Sequence, residues 1–171
     1  MLKRINDWTV WLLKILLVAL FTLLALDVLW GVASRYLLGG QASWSEEVAR
    51  LLMVWLALLG AALVARENKH LGMDTLVRSL SPDAARLATI LTQVVILSFA
   101  AWVMAWGGFE LVSERFSRGQ LLPSLGISKA WFYLALPISG VLITLYSVET
   151  LWSLLRRESA SPQEGREEAG A

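Results

Sequence analysis

Residues 87–109 read LATILTQVVILSFAAWVMAWGGF and contain no charged side chain. At 1.5 Å per residue this run makes a helix about 35 Å long, enough to cross a hydrocarbon core of about 30 Å. Three more stretches have the same character. One runs over about 10–34, with an uninterrupted apolar core at 15–26 between Lys14 and Asp27. Another runs over about 44–65 and is free of charge from Leu51 to Ala65. The last has no charge over 130–148, and its apolar pattern continues to Leu155. In lipid every backbone polar group must be satisfied within the chain, and four spans are too few for a closed barrel, so these are helices. The expected fold is all-α: an integral membrane protein with four transmembrane helices at about 10–34, 44–65, 86–112 and 129–155. Pro137 falls inside the fourth and removes one backbone donor, which favours a kink.

Composition supports this reading. Of 171 residues, 57% are hydrophobic and 17% charged, against about 45–50% and 25% in soluble domains. The spans leave no room for a large extramembrane domain. With Cys 0 there is no disulfide, no thiolate zinc site and no thiol catalysis, and with His 1 there is no bis-histidine haem. Lys3 and Arg4 ahead of an apolar run raise the question of a secretory signal. The run is longer than a signal's 7–15-residue apolar region, and Asp27 lies inside it, so a retained helix is the expectation.

Aromatic residues mark the ends of the spans. Trp8, Trp11, Trp30 and Tyr36 bound the first; Trp44 opens the second, Trp106 closes the third, and Trp131 and Trp152 bracket the fourth. This is an interfacial belt. Trp55 and Trp102 fall mid-helix and are expected to pack between helices. With the N-terminus inside, ten Lys and Arg residues lie on the inner side (Lys3, Arg4, Lys14, Arg66, Lys69, Arg78, Arg86, Arg156, Arg157, Arg166). Four lie on the outer side (Arg35, Arg115, Arg118, Lys129), which predicts that both termini are cytoplasmic. Residues 156–171 read as a polar, disordered cytoplasmic tail. Between the second and third helices, Leu71, Met73, Leu76, Val77 and Leu80 recur near helical spacing and suggest a short amphipathic helix in the membrane surface.

Polar residues near the outer surface carry most of the remaining information. Ser43-Trp44-Ser45-Glu46 fits a capping box at the start of the second helix. Glu46 and Glu47 sit where the helix dipole favours anions, and Arg50 can share their face. Asp27 and Arg50 lie at similar depth, about 10 and 9 Å from the outer ends of consecutive helices. They are expected to pair, with Glu47 and Arg35 beside them, in a buried cluster that locks helix one to helix two. A proton or sodium relay is the weaker alternative, because Arg50 would neutralise Asp27. Small residues mark close-packing faces: Ala57, Gly60, Ala61 and Ala65 in helix two, Ala101 and Ala105 in helix three, Ala135 and Ser139 in helix four. His70 stands alone as a juxtamembrane residue. The sequence holds no catalytic constellation, metal motif or phosphate loop, and no cofactor is expected. The residues alone describe a membrane scaffold. A self-sufficient small transporter or channel, or a four-helix membrane enzyme, are the alternatives.

One family adds a process to this picture. Arg35-Tyr36, Trp44-Ser45-Glu46-Glu47-Val48-Ala49-Arg50, Trp55, Leu59-Gly60-Ala61-Ala62, Arg66, His70-Leu71 and Asp74 resemble the small membrane subunit of tripartite ATP-independent periplasmic (TRAP) transporters. Leu125-Gly126-Ile127-Ser128, leading into Trp131, Tyr133 and Pro137-Ile138, resembles the start of that family's fourth helix, with Ser128 where proline is more usual. The resemblance covers about 26–148. It implies a large elevator-type membrane subunit as partner, a periplasmic substrate-binding protein, and sodium-driven import of organic acids across the bacterial inner membrane. It implies a fixed scaffold role for this chain, with Asp27, Arg35, Glu46, Glu47, Arg50, Trp55, Gly60, His70 and Asp74 as structural or interface residues. The outer loop with Glu114, Arg115 and Arg118 then becomes a candidate docking edge for the binding protein, against the plainer reading of a solvated loop. Membrane lipids are the other expected partners, and nucleic acid is not one.

Overall fold

The computed structural model describes residues 2–37, 39–40, 42–67 and 82–158. Among the described residues, four helices are long and apolar enough to cross a membrane: Trp8–Leu37, Ser43–Glu67, Leu87–Ser117 and Ala130–Leu154. The first belongs to a longer helix, α1 (Leu2–Leu37), whose 36 residues extend about 54 Å, well beyond a single hydrocarbon core. The second is α2 (Ser43–Glu67). The third is composite: α3 (Pro82–Ser98), a π-helical segment (Phe99–Gly107) and α4 (Gly108–Ser117) run on without a break. It therefore ends five residues past the expected 112. The fourth is α5 (Ala130–Glu158), with Pro137 inside it. Arg156–Glu158, expected to open the tail, continue this helix. The rest of the tail, the amphipathic segment at 71–80, His70 and Asp74 lie outside the described residues.

The helices stand in a row, in the order α1, α2, α5, third span. Helices two and three, neighbours in sequence, are separated by α5. With Val10 and Ala33 also half-buried, packing in α1 follows one stripe through the buried or half-buried Leu13, Leu17, Leu20, Leu24, Asp27, Gly31 and Ser34. Their 4-3-4-3-4-3 spacing is a heptad seam, the pattern by which two helices stay in contact over many turns. This seam faces α2, and most of the other described side chains of α1, including Phe21, Leu26, Leu29 and Trp30, are exposed. Near the other end of the α1–α2 contact, Lys14 Nζ meets Glu67 Oε1 at 2.6 Å.

α5 is the centre of the row. Ala130, Ala135, Ser139, Gly140, Ile143, Tyr146 and Ser147 are buried. Ala62 of α2, Ala100 and Met104 of the third span and Ile143 of α5 form the core where three helices meet. The closest approach is at Gly140: a Cβ there would lie 2.6 Å from the Ala105 nitrogen and 2.8 Å from Met104 Cβ. One turn away, a Cβ on Gly108 would lie 3.0 Å from Pro137 Cδ. At Gly140 only glycine fits without a shift of the neighbouring backbone, and at Gly108 a methyl would require its neighbours to give by a few tenths of an ångström.

The π-helical segment sets which side of the third span meets α5. Ala100, Met104, Gly108 and Val112 are all buried, at four-residue steps. In a pure α-helix each such step would drift about 40° around the axis. The wider turn of the π segment counter-rotates that drift and keeps the four residues on one line. This corrects half of the expected Ala101/Ala105 face: Ala101 is exposed and Ala100 and Met104 take the buried positions, while Ala105 is half-buried at the close approach to Gly140. It also corrects Trp102, which is 76% exposed rather than packed between helices. Two buried hydroxyls bond back to their own helices, Ser139 to the Leu136 carbonyl (2.9 Å) and Ser34 to that of Gly31 (3.0 Å), which satisfies them in a medium without water.

Candidate functional site

The polar groups concentrate at the end of the molecule that carries the α1–α2 and α4–α5 connections, here the loop end. α4 ends at Ser117, and just beyond its cap Gly119, at a φ of +60° that suits a glycine, turns the chain, its amide donating to the Phe116 carbonyl at 3.1 Å. The chain then makes a small closed loop. The amide of Leu122 donates to Ile127 O (2.8 Å), Gly126 to Leu122 O (2.9 Å), and Lys129 to Gln120 O (2.9 Å). Gly126, at φ +67°, turns the corner.

Glu47 holds this loop to α2. Its carboxylate accepts the Ser124 amide on both oxygens at 3.2 Å and the Leu125 amide at 3.1 Å. Arg115 holds it from the other side: Nη1 donates to Gln120 Oε1 at 3.0 Å, and the guanidinium lies 5.5 Å from the Tyr133 ring centre. Of the three candidate docking residues, Arg115 is therefore committed to the loop, while Glu114 and Arg118 pair with each other on the exposed side of α4. Ser128 Oγ accepts the Ala130 amide at 3.2 Å and so helps start α5. Deeper, Trp55 Nε1 donates to the Trp131 carbonyl at 3.0 Å and ties α2 to α5, as its mid-helix place suggests.

Two expectations for this end are corrected. The capping box does not form: Ser43 is already helical, the Ser45 amide donates to Ala42 O (3.1 Å), and the Glu46 carboxylate turns forward to Arg50 at 2.8 Å. Nor does Arg50 pair with Asp27. Both Glu46 and Arg50 lie on the outward stripe of α2, one turn apart, whereas Asp27 lies in the α1 seam that faces α2.

Asp27 is only 8% exposed, and its Oδ2 is buried with no hydrogen-bond partner among the described residues. Its main-chain oxygen accepts Ser45 Oγ at 3.3 Å, so the backbone there is fixed. The side chain lines a cavity of about 270 Å³ between α1 and α2, together with Gly31, Arg35, Ser45, Glu46 and Ala49. A charged carboxylate within a span costs up to about 2.5–3.5 kcal/mol on insertion scales, so its placement away from water calls for a donor.

At the opposite end, Arg66 Nη1 meets Glu149 Oε2 at 2.9 Å and lies 5.5 Å from the Tyr146 ring centre. The sequence places these residues 83 apart, and neither this pair nor the Glu47 clamp carries a local signal. Gly60 faces open space: a Cβ there meets nothing within 4 Å. Among the described residues no group of three His, Asp or Glu side chains could hold a metal ion.

The class is therefore a multi-pass helical membrane protein whose polar residues mostly bind its own elements together. The DctQ component of tripartite ATP-independent periplasmic transporters matches residues 24–157, and the chain belongs to that family of small TRAP permease subunits. The chain is similar to the sialic acid TRAP transporter small permease protein SiaQ of Vibrio cholerae, 28% identical over 84% of this chain and 81% of that protein. It is 29% identical to a putative TRAP transporter small permease protein of Haemophilus influenzae, over 84% of this chain and 87% of that one. A stretch of the longer sialic acid TRAP transporter permease protein SiaT of Haemophilus influenzae, 22% of its length, is 28% identical over 83% of this chain.

Proposed function

We propose that this subunit is the fixed membrane scaffold of a sodium-driven transporter that imports an organic acid. It works beside a large elevator-type permease and a periplasmic substrate-binding protein in the bacterial inner membrane. The observation that carries the scaffold role is where the polar groups go. Glu47 clamps a loop, Trp55 and Arg66 cross from α2 to α5, and Lys14 joins α1 to α2. These contacts stiffen a row of helices. In this reading four crossings bring both termini to one side, and the excess of Lys and Arg there supports the cytoplasm as that side. The loop end is then periplasmic, and the exposed Glu114–Arg118 pair on α4 is available to a binding protein. Two relatives support a large membrane partner: SiaT and the isethionate TRAP transporter permease protein DctMQ of Oleidesulfovibrio alaskensis each carry the small-subunit stretch as 22% of a longer permease. The organic-acid reading draws on relatives named for sialic acid and for C4-dicarboxylates.

The test is co-expression with a large TRAP permease from the same genome, purification through a tag on this chain, and uptake assays in proteoliposomes with a matching binding protein. The large subunit is expected to co-purify. Uptake of an organic acid is expected to need both membrane subunits, the binding protein and an inward sodium gradient. Uptake of the acid by this chain alone would overturn the scaffold reading, and it would favour the self-sufficient transporter.

A further inference from the structure

We propose that the face shared by α1 and α2 is where a helix of the large permease lies, and that a hydrogen-bond-donating side chain of that helix meets the Asp27 carboxylate. This rests on the subunit reading above and adds a surface and a contact chemistry to it. Asp27 is 8% exposed, its Oδ2 has no partner among the described residues, and it lines the cavity between α1 and α2. Arg50, the cation at matching depth, is held by Glu46. Asp27 stands ten residues before the end of α1 at Leu37, about 15 Å along the axis. It lies within a helix long and apolar enough to span the membrane and is shielded from water, and acyl chains offer no donor, so a protein side chain is the fitting occupant: an amide, a hydroxyl or a cation.

The surface running away from this cavity suits close approach by a helix. The exposed positions of α2 fall in one stripe through Glu46, Met53, Ala57, Ala61 and Val64, on the side of α2 that lines the cavity at Glu46. Gly60 lies at the edge of this stripe, and the space above it is open. In lipid, small residues of this kind let a second backbone come near and gain van der Waals contact. The third span, at the far edge of the row, exposes bulky Val95, Phe99, Trp102 and Val103 instead.

The experiment uses the full chain co-expressed with the large permease. A photo-cross-linking amino acid is placed at Val28 or Ala57 on the proposed face, and at Val95 or Val103 on the third span. Adducts with the large subunit are expected from the first two positions. Adducts from Val95 and Val103 alone would overturn the surface. In parallel, recovery of the large subunit through the tagged chain is compared for wild type, Asp27→Asn, Asp27→Leu and Gly60→Leu. Recovery is expected to fall about tenfold for both leucine variants, and less for Asp27→Asn, which keeps an acceptor. A Cβ at Gly60 meets nothing within 4 Å in this chain, and an unchanged melting temperature of the purified Gly60→Leu chain shows that a loss of recovery reports the partner and not folding. Undiminished recovery by both leucine variants would show that water or lipid suffices at Asp27 and would overturn the proposal. A wild-type chain that recovers no large subunit overturns the subunit reading and this surface with it. Normal wild-type recovery with third-span adducts overturns this surface alone.

Discussion

Glu47 and Asp27 are carboxylates near the same membrane end, and their surroundings differ completely. Glu47 gathers two backbone amides from a loop 77 and 78 residues away, whereas the buried oxygen of Asp27 has no donor among the described residues. Hydrogen bonds to a charged acceptor contribute about 1.5–3 kcal/mol, less where water competes. In Glu47→Ala the Ser124 and Leu125 amides should exchange hydrogen about tenfold faster, while the α5 interior keeps its protection. Hydrogen-exchange mass spectrometry in detergent reads both. Glycines give a second contrast. Gly60→Ala gains helix propensity with nothing in its way, so thermal stability should hold or rise by up to about 1 kcal/mol. Gly140→Ala gains the same propensity but drives a methyl to within 2.6 Å of the Ala105 nitrogen. It should cost about 1–3 kcal/mol, visible as a lower melting temperature of the purified chain.

Between elements, a few polar contacts fix the register of α2 against α5. The indole of Trp55 reaches the Trp131 carbonyl near one end, and Arg66 reaches Glu149 and Tyr146 near the other. Hydrogen bonds between membrane helices average about 0.6 kcal/mol, so Trp55→Phe should lose roughly that amount. Arg66 is mostly buried and Glu149 is not. A double-mutant cycle of Arg66→Ala and Glu149→Ala should therefore show a coupling below about 1 kcal/mol. Denaturation in mixed micelles measures both. The π-helical segment works at this scale too. It turns Ala100 and Met104 toward α5 and leaves Trp102 facing outward.

Across the whole molecule, the row of helices leaves both edges open. α1 touches the rest of the chain through one seam, and the third span through one line of small and apolar residues. Such an arrangement presents broad apolar faces to lipid or to another protein, as a widening scaffold would. Because the chain has no cysteine, its helix order can be tested directly. Lys14→Cys with Glu67→Cys should cross-link under a short bifunctional reagent, since the native side chains meet at 2.6 Å. Phe21→Cys with Val103→Cys should not, because α2 and α5 stand between their helices. A cross-link between the latter pair would mean a closed bundle.

Hydropathy alone determined that there are four spans and roughly where each lies, but not that the third runs on to Ser117, which leaves Trp106 inside it and not at its end. Burying an apolar run in lipid depends on its length and composition, and both are written along the chain. The family was legible for a similar reason, through ordered motifs such as Trp44–Arg50. The Glu46–Arg50 pair follows from i,i+4 spacing, but the partners of Asp27, Glu47 and Arg66 were not legible. Depth along a helix is readable from residue counts, but azimuth is not when every side of a membrane helix is apolar, and the α1 seam is hidden in that uniformity. Only tertiary structure placed α5 between helices two and three, turned the third span through its π segment, and brought the 122–128 loop onto Glu47. Each of these depends on rotation about a helix axis, which is set by side-chain packing and backbone contact between distant segments and by no local pattern.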